Sequence, residues 1–243
     1  MQFTAALVAS AALAFPAPET TPPLICLDPG HDATPDLSTE RIGPGSDVYK
    51  IKDGGGAPGE ATVVLQIAHK TRTLLRTRGY RVAMTRTGDE FTYGNRGNIG
   101  RAKFCNRRDA ALMLRIHADG SPDPSRHGAS TLYPAWHAGW TNDILPASRR
   151  AARLVQRGLV RTTGALDLGL VRRADLTGFN WADVPAILVE TGFMTNPTEG
   201  ARLRRASYQW RVARGLARGA AAFVPLHYSF STTSFRAAWS AAS

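Results

Sequence analysis

Three apolar runs in this 243-residue chain each lead into a residue able to do chemistry. Leu24-Ile25-Cys26-Leu27 ends at Asp28-Pro29-Gly30, and His31 follows. Ala111 to Ile116 leads into His117, and Ala186 to Val189 reaches Glu190. Short continuous apolar runs read as buried strands, and the carboxyl ends of parallel strands share one edge of a sheet. Positions 31, 117 and 190 can therefore converge although the sequence separates them. Glu60, at a loop-to-helix junction, can join them from the side. Two histidines and a carboxylate are a common three-ligand set for catalytic zinc, with a fourth position left for water. No HExxH segment sets two histidines on one helix face, so spacing alone is thin support. For His69, His127, His137 and His227 a hydrogen-bonded structural role is the plainer reading, and Glu60 by itself is a favourable charge at a helix N-terminus.

The elements that must position these residues alternate between strand and helix. Asp32 to Gly59 is rich in Pro, Gly, Ser and Asp and reads as a long loop, with Asp53-Gly54-Gly55-Gly56 unable to form regular structure. Val64, Ile67, Ala68, Thr71 and Leu75 recur at helical spacing up to the stop at Arg78-Gly79, and Tyr80 to Thr85 follows as a strand. A second helix is expected over Arg96 to Arg107, a short strand over Ala129 to Tyr133, and a helix face from Ala151 to Leu159. Tyr208, Val212, Leu216, Gly219 and Phe223 give the last helix its apolar stripe. The pattern predicts an α/β fold, a single domain with a largely parallel central sheet flanked by helices on both faces.

At 43% apolar residues the chain can bury one sizeable core, and no run reaches the roughly 20 apolar residues of a membrane-spanning helix. The formal net charge is +11. Charge alone does not choose among nucleic acid, anionic lipid and an acidic polymer. Most of it is arginine set among alanines, as in Arg149 to Arg161 and Arg202 to Arg218, which reads as a compositional bias over solvated helix faces. No aromatic-basic stripe or nucleic-acid motif accompanies it. Phe3 to Phe15, followed by Pro16, Pro18, Pro22 and Pro23, resembles the apolar core and exit of a secretory signal that lacks its basic start. Residues 1–23 are accordingly expected to be a leader, with the mature chain beginning between Ala17 and Leu24. The two cysteines, Cys26 and Cys105, could be buried thiols, but a single disulfide is the expected state in an oxidising compartment.

Five stretches carry a specific resemblance. They are Leu27-Asp28-Pro29-Gly30-His31, Gly59-Glu60 with its apolar helix, Arg81 to Arg86, Ile116-His117-Ala118-Asp119, and Val184 to Asn196. In order and spacing the chain resembles the zinc-dependent N-acetylmuramoyl-L-alanine amidases from about residue 24 to 224. The resemblance implies one zinc ion held by His31, Glu60 and His117, with Glu190 as the catalytic acid and base. It implies cleavage between the lactyl group of N-acetylmuramic acid and the L-alanine of the stem peptide.

Arg96 falls where the family often has an arginine ahead of a helix, and it reads as structural. Arg115 stands where a small residue is common and Asp119 where asparagine is frequent, so both are expected at the rim of the site. The expected layout is a catalytic domain over 24–226 and a tail over 227–243, without a wall-binding module, in a monomer secreted to the cell envelope whose partner is peptidoglycan rather than nucleic acid. The positive charge would then help retain the enzyme near anionic wall polymers. A zinc peptidase acting on the stem peptide and a non-catalytic wall-binding protein are the alternatives.

Overall fold

The computed structural model describes residues 21–88 and 97–226. The leader-like run from Phe3 to Phe15, Arg96 and the tail from His227 to Ser243 lie outside these residues. In chain order the strands are β1 (Leu24–Pro29), β2 (Asp36–Arg41), β3 (Tyr49–Asp53), β4 (Arg81–Met84), β5 (Leu112–Asp119), β6 (Ala129–Pro134), β7 (Asp167–Arg173) and β8 (Ala186–Phe193). The helices are α1 (Glu60–Arg76), α2 (Asn98–Asn106), α3 (Leu145–Thr163), α4 (Thr177–Asn180), α5 (Pro197–Leu203) and α6 (Ala206–Phe223).

Six strands form the central sheet in the order β4-β1-β5-β8-β6-β7. The first four of that order run parallel, β6 runs antiparallel to β8, and β7 runs parallel to β6. The expected α/β architecture with helices on both faces is therefore present, with β6 and β7 reversed against the rest.

Strand alternation sorts side chains into two cores. Ile25, Leu27, Leu114 and Ile116 face α1, α3 and α6, where Val64, Val155 and Leu216 meet them. Cys26, Met113 and Leu188 face the opposite side with Phe104 of α2 and Phe179 of α4. Two of the catalytic candidates point to this second face, because His117 follows Met113 and Arg115, and Glu190 follows Ala186 and Leu188, at steps of two.

Cys26 and Cys105 form a disulfide that ties β1 to α2, with their Cα atoms 5.7 Å apart and 79 residues between them in sequence. Closing so long a loop restricts the unfolded chain, worth about 4 kcal/mol on the chain-entropy account. Reduction is expected to lower the melting temperature by on the order of 10 °C, measured by calorimetry with and without a thiol reductant.

The segment read as a long loop is instead a β-hairpin. β2 and β3 pair antiparallel, and the loop reading holds for residues 32–35, for the hairpin connection over 42–48 and from Gly54 onward. The hairpin escapes a search for apolar alternation because most of its side chains are exposed or half-buried. Its anchor is Glu40, whose carboxylate accepts from Asn98 N at 2.7 Å and Ile99 N at 3.0 Å, capping α2 in place of a local side chain. Trp181 Nε1 also donates to Arg41 O at 3.0 Å.

Candidate active site

The carboxyl edge of the parallel strands brings the separated residues together. β1 ends one residue before Gly30-His31, β5 carries His117, and β8 carries Glu190 directly beside His117 in the strand register. His117 and Glu190 thus sit inside their strands rather than just beyond them, because β5 and β8 continue to pair as far as Asp119 and Phe193. Glu60 is the first residue of α1 and reaches the same edge. His31, Glu60, His117, Asp119 and Glu190 line one cavity of about 420 Å³.

Glu60 Oε1 lies 3.2 Å from His31 Nε2 and 3.2 Å from His117 Nδ1. One ligand atom from each of the three side chains falls within 4.8 Å of the other two, so the group could hold a metal ion. His117 Nε2 and Glu190 Oε2 are buried and have no hydrogen-bond partner among the described residues. Buried polar atoms are rarely left so, since each costs the desolvation of a group that water would have satisfied. Orphaned atoms on two residues that line the cavity point to a ligand and a reacting group that complete the site.

The electrostatics follow from packing. Burial pulls the His31 pKa down, but hydrogen bonds to Asp53 and Glu60 outweigh it and raise it to about 9. Burial pushes the Glu60 carboxyl up, and the two histidines reverse that and hold it well below the usual carboxylate range. His117 is lowered by burial. Glu190 is pushed well above its ordinary value by burial, then by the negative charges of Glu60 and Asp119. Protons and a cation compete for the same histidine and carboxylate atoms, so metal binding would displace protons here.

A set of residues beneath the cluster was not singled out in the sequence reading. Asp53, at the end of β3, accepts from His31 Nδ1 at 2.5 Å and from Asp32 N at 2.8 Å. It orients the His31 ring and leaves Nε2 facing the cluster, the arrangement in which a carboxylate backs a metal-binding imidazole. Two buried arginines hold the His31 loop. Arg86 Nη2 donates to Gly30 O at 2.8 Å, and Arg101 Nη2 donates to His31 O at 3.1 Å and Asp32 Oδ1 at 2.7 Å. These bonds fix His31 at a φ of 56°, a left-handed conformation unfavourable for histidine. Gly30 is needed beside it, since a Cβ there would collide with the His117 ring.

Arg115 is not at the rim. It lies one rung below His117 on the same face of β5 and is only 4% exposed. Its Nε donates to Asp28 Oδ2 at 2.7 Å, and the other Asp28 oxygen accepts from Arg101 Nη1 at 2.8 Å. Burial pushes the Asp28 carboxyl up, but the two guanidinium groups hold it well below the usual range. Asp119 does line the cavity, and burial raises its pKa. The remaining histidines, as expected, stand apart from the cluster among the described residues; His69 Nε2, for example, contacts Thr87 O at 3.1 Å.

An α/β sheet that gathers two histidines, one glutamate and a second, unpartnered glutamate at its carboxyl edge has the layout of a metal-dependent hydrolase. The N-acetylmuramoyl-L-alanine amidase family matches residues 25–222, and the chain belongs to that family. It is a hydrolase of the amidase class. It is 28% identical to an N-acetylmuramoyl-L-alanine amidase of Mycobacterium tuberculosis over 83% of this chain and 86% of that one. It is 30% identical to the amidase AmiC of Neisseria meningitidis, where it spans 83% of its own length and 53% of the relative's. The crystal structure of the amidase Ami1 from Mycobacterium smegmatis superposes with a TM-score of 0.73 at 27% identity, covering 83% of this chain and 96% of that one.

Proposed function

We propose that this amidase cleaves the bond between the lactyl group of N-acetylmuramic acid and the L-alanine of the stem peptide, using one zinc ion held by His31, Glu60 and His117. The donor set supports this assignment: two imidazole nitrogens and a carboxylate suit zinc and leave a position open. When bound, zinc supplies a Lewis acid that polarises the amide carbonyl and acidifies a water molecule.

Glu190 is the acid and base. Glu190 lines the shared cavity with its Oε2 unpartnered, and burial raises its pKa, which suits a carboxyl that must both take and give a proton. It takes the proton of the attacking water and passes it to the alanine nitrogen, which leaves poorly unless protonated. Asp53 positions His31 from behind. Asp53→Asn is expected to weaken zinc binding about 10- to 100-fold in competition with a chelating dye, while the fold melts near its normal temperature. Unchanged zinc affinity would remove Asp53 from this role.

The observation that carries the proposal is the meeting of the three donors and the orphaned Glu190 oxygen in one cavity. We place the catalytic domain at 24–226, between a leader at 1–23 and a tail at 227–243, in a monomer exported to the cell envelope. The Cys26–Cys105 disulfide supports an oxidising compartment. No helix among the described residues is long and apolar enough to cross a membrane. Mass spectrometry of muropeptides digested by the zinc-loaded protein, beside a chelated sample, tests the reading. Free stem peptide and glycan retaining its lactyl group, both lost on chelation, are expected; shortened stems still attached to sugar would make it a stem peptidase.

A further inference from the structure

Away from the catalytic edge, α3 and α6 pack side by side over the sheet. α3 carries five arginines and α6 three, and neither helix carries an aspartate or glutamate. A bias toward arginine over lysine does not by itself remove acids. Like charges at i, i+4 repel along a helix, so an all-basic pair of helices works against its own folding.

Arg153, Arg157 and Arg161 recur at steps of four on α3, as do Arg214 and Arg218 on α6, and all five are exposed. None of them has a hydrogen bond or ion pair with another described residue. The helices touch closely enough that a Cβ on Gly219 would collide with Val155, and this contact brings members of both arginine rows to one groove. Arg157, Arg161 and Arg218 line that groove, which has a volume of about 370 Å³ and contains Gly158 and Gly219. Asp167, which lies beside Arg153, Arg157 and Arg161, already accepts from Gln156 Nε2 at 2.6 Å and Gly169 N at 2.9 Å.

We propose that the α3–α6 groove binds a linear phosphodiester polymer of the cell wall. Guanidinium groups repeated about every 6 Å along a helix match charges repeated along a chain rather than one isolated anion. Arginine pairs with phosphate through two parallel N–H donors, which lysine cannot do. A membrane surface fits less well, because none of the exposed large apolar side chains lies on α3 or α6. The proposal rests on the amidase reading only for where such a polymer is met. Its test reads binding rather than hydrolysis, so either can fail alone.

Sedimentation of the full chain with purified walls bearing a phosphodiester polymer, before and after hydrofluoric acid has removed that polymer, tests this. The variant R157Q/R161Q/R218Q is compared with R76Q/R81Q/R107Q, which removes equal charge elsewhere on the surface. The groove variant is expected to bind untreated walls about tenfold more weakly, while the control binds as wild type does and stripped walls retain little of any protein. Raising salt from 0.05 to 0.2 M should weaken wild type by on the order of tenfold. Equal loss in the two variants, undiminished binding to stripped walls, or tighter binding to anionic phosphatidylglycerol vesicles than to walls would each overturn the proposal. Thermal melts of both variants show whether any loss is one of folding; a groove variant that melts like wild type and binds walls equally well also overturns it.

Discussion

Glu190→Gln is expected to lower the turnover of a muropeptide substrate by about a thousandfold or more while leaving one zinc per chain. Glutamine keeps the shape of the side chain and can still accept a hydrogen bond, but it cannot take a proton from water or return one to nitrogen. The position allows no easy substitute. Asp119 lines the same cavity, but it is held on β5 by its pairing with Phe193 and accepts from Gly120 N at 2.8 Å. Initial rates, zinc content and melting temperature measured together separate the outcomes. Loss of rate with zinc and stability intact supports the proton-transfer role, whereas a rate within tenfold of wild type would assign the base elsewhere.

The largest expected effect on stability comes from Asp28→Asn. Asp28 is fully buried and joins Arg101 to Arg115, and Thr85 Oγ1 donates to it at 2.6 Å. Removing its charge leaves two buried guanidinium groups without their shared counter-ion, a loss of about 3–5 kcal/mol. For a domain of this size that is a fall of roughly 10 °C or more in melting temperature. The pH dependence has a definite sign. The folded-state pKa is depressed, so the stabilisation is complete above the unfolded value of about 4 and is lost as pH falls toward the lower folded value. Wild type should therefore lose stability in acid more steeply than the variant. A variant melting within 2–3 °C of wild type, by the same size scaling, would mean that water reaches both arginines.

The two predictions address one construction. Asp28 and its arginines lie below the His31, Glu60 and His117 cluster, and Arg101 continues upward to the His31 carbonyl. A change in the buried network should therefore also loosen the His31 loop, whereas Glu190→Gln should leave the network untouched.

The sequence alone determined the sheet, its principal helices and the four residues at its edge. Those features are legible because apolar runs must be buried, and because a polar residue closing such a run has to face something other than core. Val64 to Leu75 became α1, Tyr208 to Phe223 fell in α6, and His31, His117 and Glu190 met as parallel strands require. The tertiary structure alone decided what those four residues rest on. Arg115 looked like a rim residue until alternation along β5 placed it beneath His117, and Asp53 looked like the start of a glycine loop until β3 delivered it to His31 Nδ1. The hairpin that carries Asp53 has little apolar pattern because it is held by Glu40 on the start of α2 rather than by burial. Hydrophobic periodicity records which face a segment buries; it is silent on pairings between charged groups dozens of residues apart, which exist only once the chain has closed around them.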